Sequence, residues 1–299
     1  MRGAATEEIP VLWLQLATCT GCSVSVLNSV SPSIRNVLVD EVIPGYHLNL
    51  VYHATIMAGA GEQVIAVLEA TQRTRAGQYV LVVEGAVPIA DDGRFGSVGE
   101  RDGQEVAMAA RLSGAAEGAL AVIALGTCAA FGGIPAGSPN PTGCRGVAEF
   151  LSLKGCERPV VNVPGCPPHP DWFVGTVAGI VLAGLPGAAD LDEWRRPKAF
   201  YGKLIHDNCP RRAWFDAGKF ATRPGGEGCL YYVGCKGPVT YADCPTRLWN
   251  GGANWCVGAG APCLGCVEPG FPDQLSPMYE RLQETVPTGA LAPRAQLAR

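Results

Sequence analysis

The 299-residue sequence is short of charge: Asp, Glu, Lys and Arg make up 17%, and 23 basic against 27 acidic residues leave a net charge of −4. No basic stripe exists to neutralise a phosphate backbone, so nucleic acid is excluded as the ligand. A membrane-spanning run is also lacking. Residues 118–144 are uncharged but broken by Gly and Pro, and residues 173–189 fall short of the roughly 20 apolar residues a bilayer needs. Both are expected in a core, and no transmembrane helix is expected. The first ten residues, MRGAATEEIP, hold two acids and no apolar segment. They exclude a secretory signal there and contain no twin-arginine pair. The expectation is a cytoplasmic chain, or a periplasmic one if a twin-arginine leader has been removed. G-x-G-x-x-G and G-K-[ST] phosphate loops are absent too, which argues against a flavin or nucleotide site.

What is present is 47% hydrophobic residues, enough to fill two ordinary domains, with 39 Gly and 24 Pro that call for many turns. The unusual number is 13 Cys. An odd count in a chain too long to need staples argues against disulfides. The spacings Cys19-x-x-Cys22 and Cys263-x-x-Cys266 put two sulfurs on one tight turn, where they can share a metal or cluster.

The first part alternates strands and helices. Apolar runs at 11–16, 79–83, 120–125 and 159–163 read as buried strands. Residues 62–76 place Val64, Ile65 and Leu68 on one helical face with a Glu69/Arg73 pair four apart, and end at Gly77; residues 104–117 also look helical. The pattern predicts an α/β domain with a parallel sheet covered on both faces. Ligands of such sheets bind at the carboxyl ends of the strands. The first strand runs into Cys19 and Cys22, the third into Cys128 and the fourth into Cys166. Four thiols distant in sequence thus meet at one sheet edge, the ligand number of an iron–sulfur cubane or a zinc ion. The second strand delivers Glu84 to the same edge.

Proline and charge rise from Leu185 to Pro197, marking a boundary near residue 187 between domains 1–187 and 188–299. Beyond it periodicity fades while His206, Cys209, Cys229, Cys235, Cys244, Cys256, Cys263 and Cys266 supply eight further ligands, two more tetrads. Ligation rather than a packed core is expected to fix this part. Cys144 and Cys156 are left over and read as small apolar residues or surface thiols.

Taken in order, CTGCSVSVLNS, VVEGAVP, GTCAAFGGIP, VPGCPPHPDW, IHDNCP, GCKGP, WNGGANWCV and CLGCVEPGFPD cover most of the chain. This set resembles the small subunit of nickel–iron hydrogenases, most of all the nickel–iron–selenium branch. The resemblance implies a flavodoxin-like N-terminal domain and a C-terminal iron–sulfur cluster domain with little regular structure. It implies a proximal cluster on Cys19, Cys22, Cys128 and Cys166, a distal one on His206, Cys209, Cys229 and Cys235, and a medial one on Cys244, Cys256, Cys263 and Cys266. Many relatives have proline at the position of Cys256 and a three-iron medial cluster. A fourth thiolate here implies three 4Fe-4S clusters, with a 3Fe-4S medial cluster if Cys256 is not a ligand. Oxygen-tolerant members carry two extra proximal cysteines where this chain has Gly21 and Gly133, so an ordinary cubane is expected there.

The resemblance further implies a large-subunit partner holding the nickel–iron site that oxidises or produces H2, and a soluble electron carrier such as a cytochrome c or ferredoxin. No catalytic residue is expected in this chain, with Glu84 a candidate proton relay or simply a solvated or salt-bridged carboxylate. The alternative is the cluster subunit of a complex I-like quinone oxidoreductase, which resembles only the first domain. A zinc-stapled interaction module is the third reading. His169 reads as structural, and Trp249 and Trp255 as packing around the medial ligands.

Overall fold

A computed structural model describes residues 7–30, 33, 36 and 45–282. The N-terminal segment read for a leader is therefore described only from Glu7, and the sequence after residue 282 lies outside the described residues. The chain divides into two units, Met1–Ala189 and Asp190–Arg299.

The first unit is built on a five-stranded sheet of β1 (Glu7–Gln15), β2 (Tyr46–His53), β3 (Val80–Glu84), β6 (Ala121–Leu125) and β7 (Val160–Val163), ordered β2-β1-β3-β6-β7. Every pairing in it is parallel. Counted without the hairpin β4 (Ser97–Arg101) and β5 (Gln104–Ala107), this is the 2-1-3-4-5 order of flavodoxin-like sheets. β3, β6 and β7 are buried along their whole length, as strands covered on both faces must be. One face carries Leu12, Leu14, Leu81, Val83 and Val122 into a core with Ile65 and Leu68 of α2 (Glu62–Thr74), Leu112 of α3 (Met108–Glu117) and Phe150 of α5 (Val147–Leu153). On the other, Trp13 packs 4.9 Å from His53 and 5.2 Å from Phe173 of α6 (Pro170–Ala183), ring centre to ring centre.

Two elements differ from the sequence reading. β2 escapes a search for continuous apolar runs because it lies at the sheet edge, where YHLNLVYH mixes half-buried polar and apolar residues. Residues 104–117 are not one helix: 104–107 pair back onto 97–101 around Asp102-Gly103, both with positive φ, as a tight hairpin turn requires. The hairpin redirects a charge as well. Glu69, which the sequence pairs with Arg73, instead takes Arg111 at 2.7 Å and Arg101 at 2.9 Å.

Among its described residues the second unit has short helical turns, the longest being Arg212–Asp216. Its apolar cluster of Val239, Phe271 and Leu275 is small. A buried ion pair helps fill the gap. Fully buried Arg196 takes Asp192 at 2.8 Å and Glu268 at 3.2 Å, donates to Val267 O and lies over the Tyr201 ring.

In the first unit, hydrogen bonds from Arg111 and then Arg101 hold the Glu69 carboxyl below its ordinary pKa of 4.5. Because the folded pKa is the lower one, this stabilisation is complete above the ordinary value and is lost as pH falls through the folded value. Glu69→Gln would leave the nearly buried Arg111 guanidinium without its charge partner. The expected cost is about 1–3 kcal/mol at pH 7 in urea unfolding, shrinking as pH falls below the ordinary carboxylate range and through the lowered folded pKa.

Candidate metal centres

Parallel pairing aligns Gln15 with Glu84 and Glu84 with Leu125, so β1, β3 and β6 end together. The chain leaving β1 turns through Thr20, left-handed at φ 67°, into α1 (Gly21–Leu27), which carries Cys22 in its first turn. Beyond β6, Gly126 at φ 89° starts α4 (Thr127–Phe131), which carries Cys128; Cys166 follows β7. Hydrogen bonds tie the three loops together: Thr127 N–H donates to Gly165 O, Gly165 N–H to Thr127 Oγ1, and Ser25 Oγ to Pro168 O. Gly126 has no room for a side chain, since a Cβ there would overlap Cys22 Sγ. Gly21 and Gly133 border the sulfurs of Cys19 and Cys128.

The four sequence-predicted thiols are within electrostatic reach of one another. Burial pushes Cys22 far above its usual pKa, and Glu84, Cys128, Cys19 and Cys166 add to the effect. Cys128 is pushed up to about 11 by burial, Cys166 and Cys19, and Cys166 is raised by burial and Cys19. Thiols that resist ionising in one another's company form a site that calls for positive charge at its centre.

Glu84 stands beneath this site, completely buried. One oxygen accepts from Cys22 N–H (3.0 Å), Ser23 N–H (3.3 Å) and Thr18 Oγ1 (3.2 Å). The other accepts from Trp13 Nε1 (3.1 Å), Gln15 Nε2 (3.4 Å) and Ser23 Oγ. It is neither solvated nor, among the described residues, salt-bridged, and so differs from the solvated or salt-bridged carboxylate that the sequence also allowed. It anchors the backbone of the Cys19–Cys22 turn. Sequence reasoning missed its donors, and also His53. The His53 Nε2 meets Ser23 Oγ at 3.1 Å, and its Nδ1 meets exposed Thr55 at 3.3 Å. Burial lowers the His53 pKa against the raising effect of Glu84. No local sequence pattern marks it, because its place follows from β2 pairing beside β1.

In the second unit His206, Cys209, Cys229 and Cys235 line one hollow. Short turns aim them. Cys229 N–H bonds Lys219 O, and Cys235 N–H bonds Leu230 O. His206 stands edge-on to Phe215 at 4.5 Å, and burial together with Arg212 lowers its pKa, keeping the ring neutral with a nitrogen lone pair to offer. Cys235 is pushed up to about 12, mainly by burial.

Cys244, Cys256, Cys263 and Cys266 form the third group. Cys244 is raised well above its usual value by burial, Cys266 and Cys263, and the Trp249 side chain bonds its sulfur. Cys263 is raised by its bond to the Cys256 thiol and by burial. Trp255, next to Cys256 in sequence, is buried. Cys144 and Cys156 lie elsewhere: Thr142 Oγ1 donates to the Cys144 sulfur at 3.2 Å, and Cys156 packs against the core of the first unit. His169 caps α6 by accepting from Asp171 N–H. Among the described residues no three His, Cys, Asp or Glu side chains converge as a single ion requires. No helix there is long and apolar enough to cross a membrane.

Gly126→Ala should block whatever the first group holds, because its methyl overlaps Cys22 Sγ. Iron analysis should find about four fewer irons per chain than wild type, with the two groups of the second unit still loaded.

Residues 201–279 match the family profile for the C-terminal part of the NiFe/NiFeSe hydrogenase small subunit. Residues 19–180 match that of the NADH ubiquinone oxidoreductase 20 kDa subunit. The chain is 44% identical over 282 residues to the periplasmic NiFeSe hydrogenase small subunit of Desulfomicrobium baculatum, covering 91% of this chain and 87% of that one. It is also 44% identical to the periplasmic NiFe hydrogenase small subunit of Solidesulfovibrio fructosivorans, covering 93% and 83%. Among solved structures, the reduced, active Ni-Fe-Se hydrogenase from Desulfomicrobium baculatum superposes with a TM-score of 0.86 and 45% identity, over 92% of this chain and 100% of that one. The actinobacterial-type NiFe-hydrogenase from Ralstonia eutropha H16 gives 0.83 and 34%, over 97% and 85%. With relatives of this kind matched along nine-tenths of its length, the chain belongs to the small-subunit family of the NiFe and NiFeSe hydrogenases.

Proposed function

We propose that this chain is the electron-relay subunit of a heterodimeric hydrogenase, with the nickel–iron site in a separate large subunit. The observation that supports the reading is that thiols from separate loops come within electrostatic reach of one another at the sheet edge and around Cys263, while His206, Cys209, Cys229 and Cys235 line one hollow. The donor sets fit iron–sulfur clusters: soft thiolates, spaced around a centre rather than converging on one ion, in surroundings that raise their pKa until cationic iron is bound. Once bound, such clusters supply one-electron storage and transfer.

Cys19, Cys22, Cys128 and Cys166 would hold the proximal cluster; His206, Cys209, Cys229 and Cys235 the distal one; Cys244, Cys256, Cys263 and Cys266 the medial one. The chain's own residues then have definite tasks. Glu84 fixes the Cys19–Cys22 turn through two backbone N–H groups. Trp249 steadies Cys244, and buried Trp255 keeps water away. A neutral His206 in place of a thiolate makes its site less negative, which raises its potential and suits it to exchange with a soluble carrier such as a cytochrome c or ferredoxin. Glu84, Ser23 and His53 form an unbroken hydrogen-bonded chain to exposed Thr55, a path along which Glu84 would relay protons. The quinone-oxidoreductase alternative accounts for the first unit only, because the matching profile stops at residue 180.

Anaerobically prepared protein should carry about 12 irons per chain with no three-iron EPR signal when oxidised. Cys256→Ala should lower this to about 11 and bring that signal in. About four irons would move the chain to the quinone-oxidoreductase reading, and zinc without iron would end the electron-relay account. His206→Ala should slow reduction of a soluble carrier at least tenfold while H/D exchange at the partner's site stays near wild type.

A further inference from the structure

Lys236 directly follows a cysteine of the distal group and is only 1% exposed. Its N–H donates to Cys263 O at 2.7 Å, and a side chain on Gly265 would meet its Cβ at 3.4 Å. The residue is therefore wedged between the Cys235 loop and the Cys263–Cys266 loop, each belonging to a different group. Its Nζ donates to Pro277 O at 3.1 Å and to Glu280 O at 2.5 Å. Among the described residues no carboxylate is within ion-pair distance. The ionisable groups within electrostatic reach are Cys235, Glu280 and Cys263. Cys263 in turn reaches Cys209 and Cys235, so the two groups of the second unit are electrostatic neighbours.

A buried ammonium held only by carbonyl oxygens is costly unless negative charge stands nearby. Thiolate-ligated clusters supply that charge, and reduction adds to it. The segment that Lys236 grips also shields it, since Tyr279 and Glu280 pass against Gly234, where a Cβ would come 2.5 Å from the Tyr279 backbone. Away from bulk water the charge is screened less than at an exposed position.

We propose that Lys236 is a positioning residue for charge, a fixed buried cation that holds the medial and distal potentials up together. This rests on the cluster-relay reading above. The ammonium favours the more negative, reduced form of both neighbours, so its removal lowers both midpoints.

The test is an EPR-monitored redox titration of the assembled heterodimer carrying Lys236→Met, Lys236→Gln or Lys236→Arg, with iron counted first. Both neutral variants should keep wild-type iron and shift the medial and distal midpoints negative, leaving the proximal midpoint in place; Lys236→Arg should stay near wild type. Loss of the second unit's clusters in both neutral variants but not in Lys236→Arg would be the same charge requirement met at assembly. Unchanged midpoints in fully loaded neutral variants would overturn the proposal. So would a shift or loss in Lys236→Arg as large as in Lys236→Met, which assigns the residue to packing. Wild-type protein with no iron in its second unit would instead sink the relay reading itself.

Discussion

Buried thiols brought within reach of one another cannot all ionise unless something positive stands between them. That constraint organises this protein. Burial is the largest cause at Cys22, Cys128, Cys235 and Cys244, and in each case other thiols of the chain add to it. Ionising these thiols without a cation is therefore uphill, and binding of a metal, which releases their protons, is coupled to folding. The two units meet the constraint differently. The first has a covered parallel sheet that would hold its shape with or without metal. Among its described residues the second has a small apolar cluster around Val239, Phe271 and Leu275 and short turns, so its ligands and its buried charges take on part of what a core does elsewhere.

At the sheet edge the solution is a carboxylate. Glu84 ends the central strand β3 with six donors around it, two of them backbone N–H groups of the cysteine turn. A carboxylate satisfied this fully adds negative charge under the thiols, as its effect on Cys22 shows. It sharpens the demand for a positive centre while fixing the geometry that receives it. The same bonds make Ser23 and His53 continuous with the turn, so holding the site and connecting it to the surface use one set of side chains.

The sheet and its ligand edge were legible in the sequence because both depend on strong local signals. Four apolar runs predicted β1, β3, β6 and β7, and the cysteines after three of them fell where parallel sheets put ligands. β2 was not legible, because an edge strand need not be apolar on both faces; the hairpin was marked by Asp102-Gly103, just before the helix read at 104–117, and its second strand was taken into that helix. Membership of the second unit's groups came from family resemblance, since nothing in the spacing of Cys209 and Cys229 says that they share a hollow with His206. The Glu84 donors, the Arg111 partner of Glu69 and the burial of Lys236 all depend on contacts between residues far apart in the chain, which no local pattern encodes.

Two buried cations of the second unit show how structural charge and functional charge can be told apart. Arg196 is matched by Asp192 and Glu268, both themselves nearly buried, and its guanidinium lies over Tyr201. Its charge is met by carboxylates within the protein, and breaking the pairing would leave a carboxylate stranded in the interior. Lys236 is equally buried but takes only main-chain carbonyls. Carbonyl dipoles satisfy its hydrogens without cancelling its charge. A cation that no carboxylate pairs with directly, with Glu280 acting on it only at a distance, stands beside two sets of thiols that the fold leaves unwilling to ionise. The ammonium and the thiols are within reach of each other, so ionising those sulfurs would bring the cation a partner that the carbonyls do not supply.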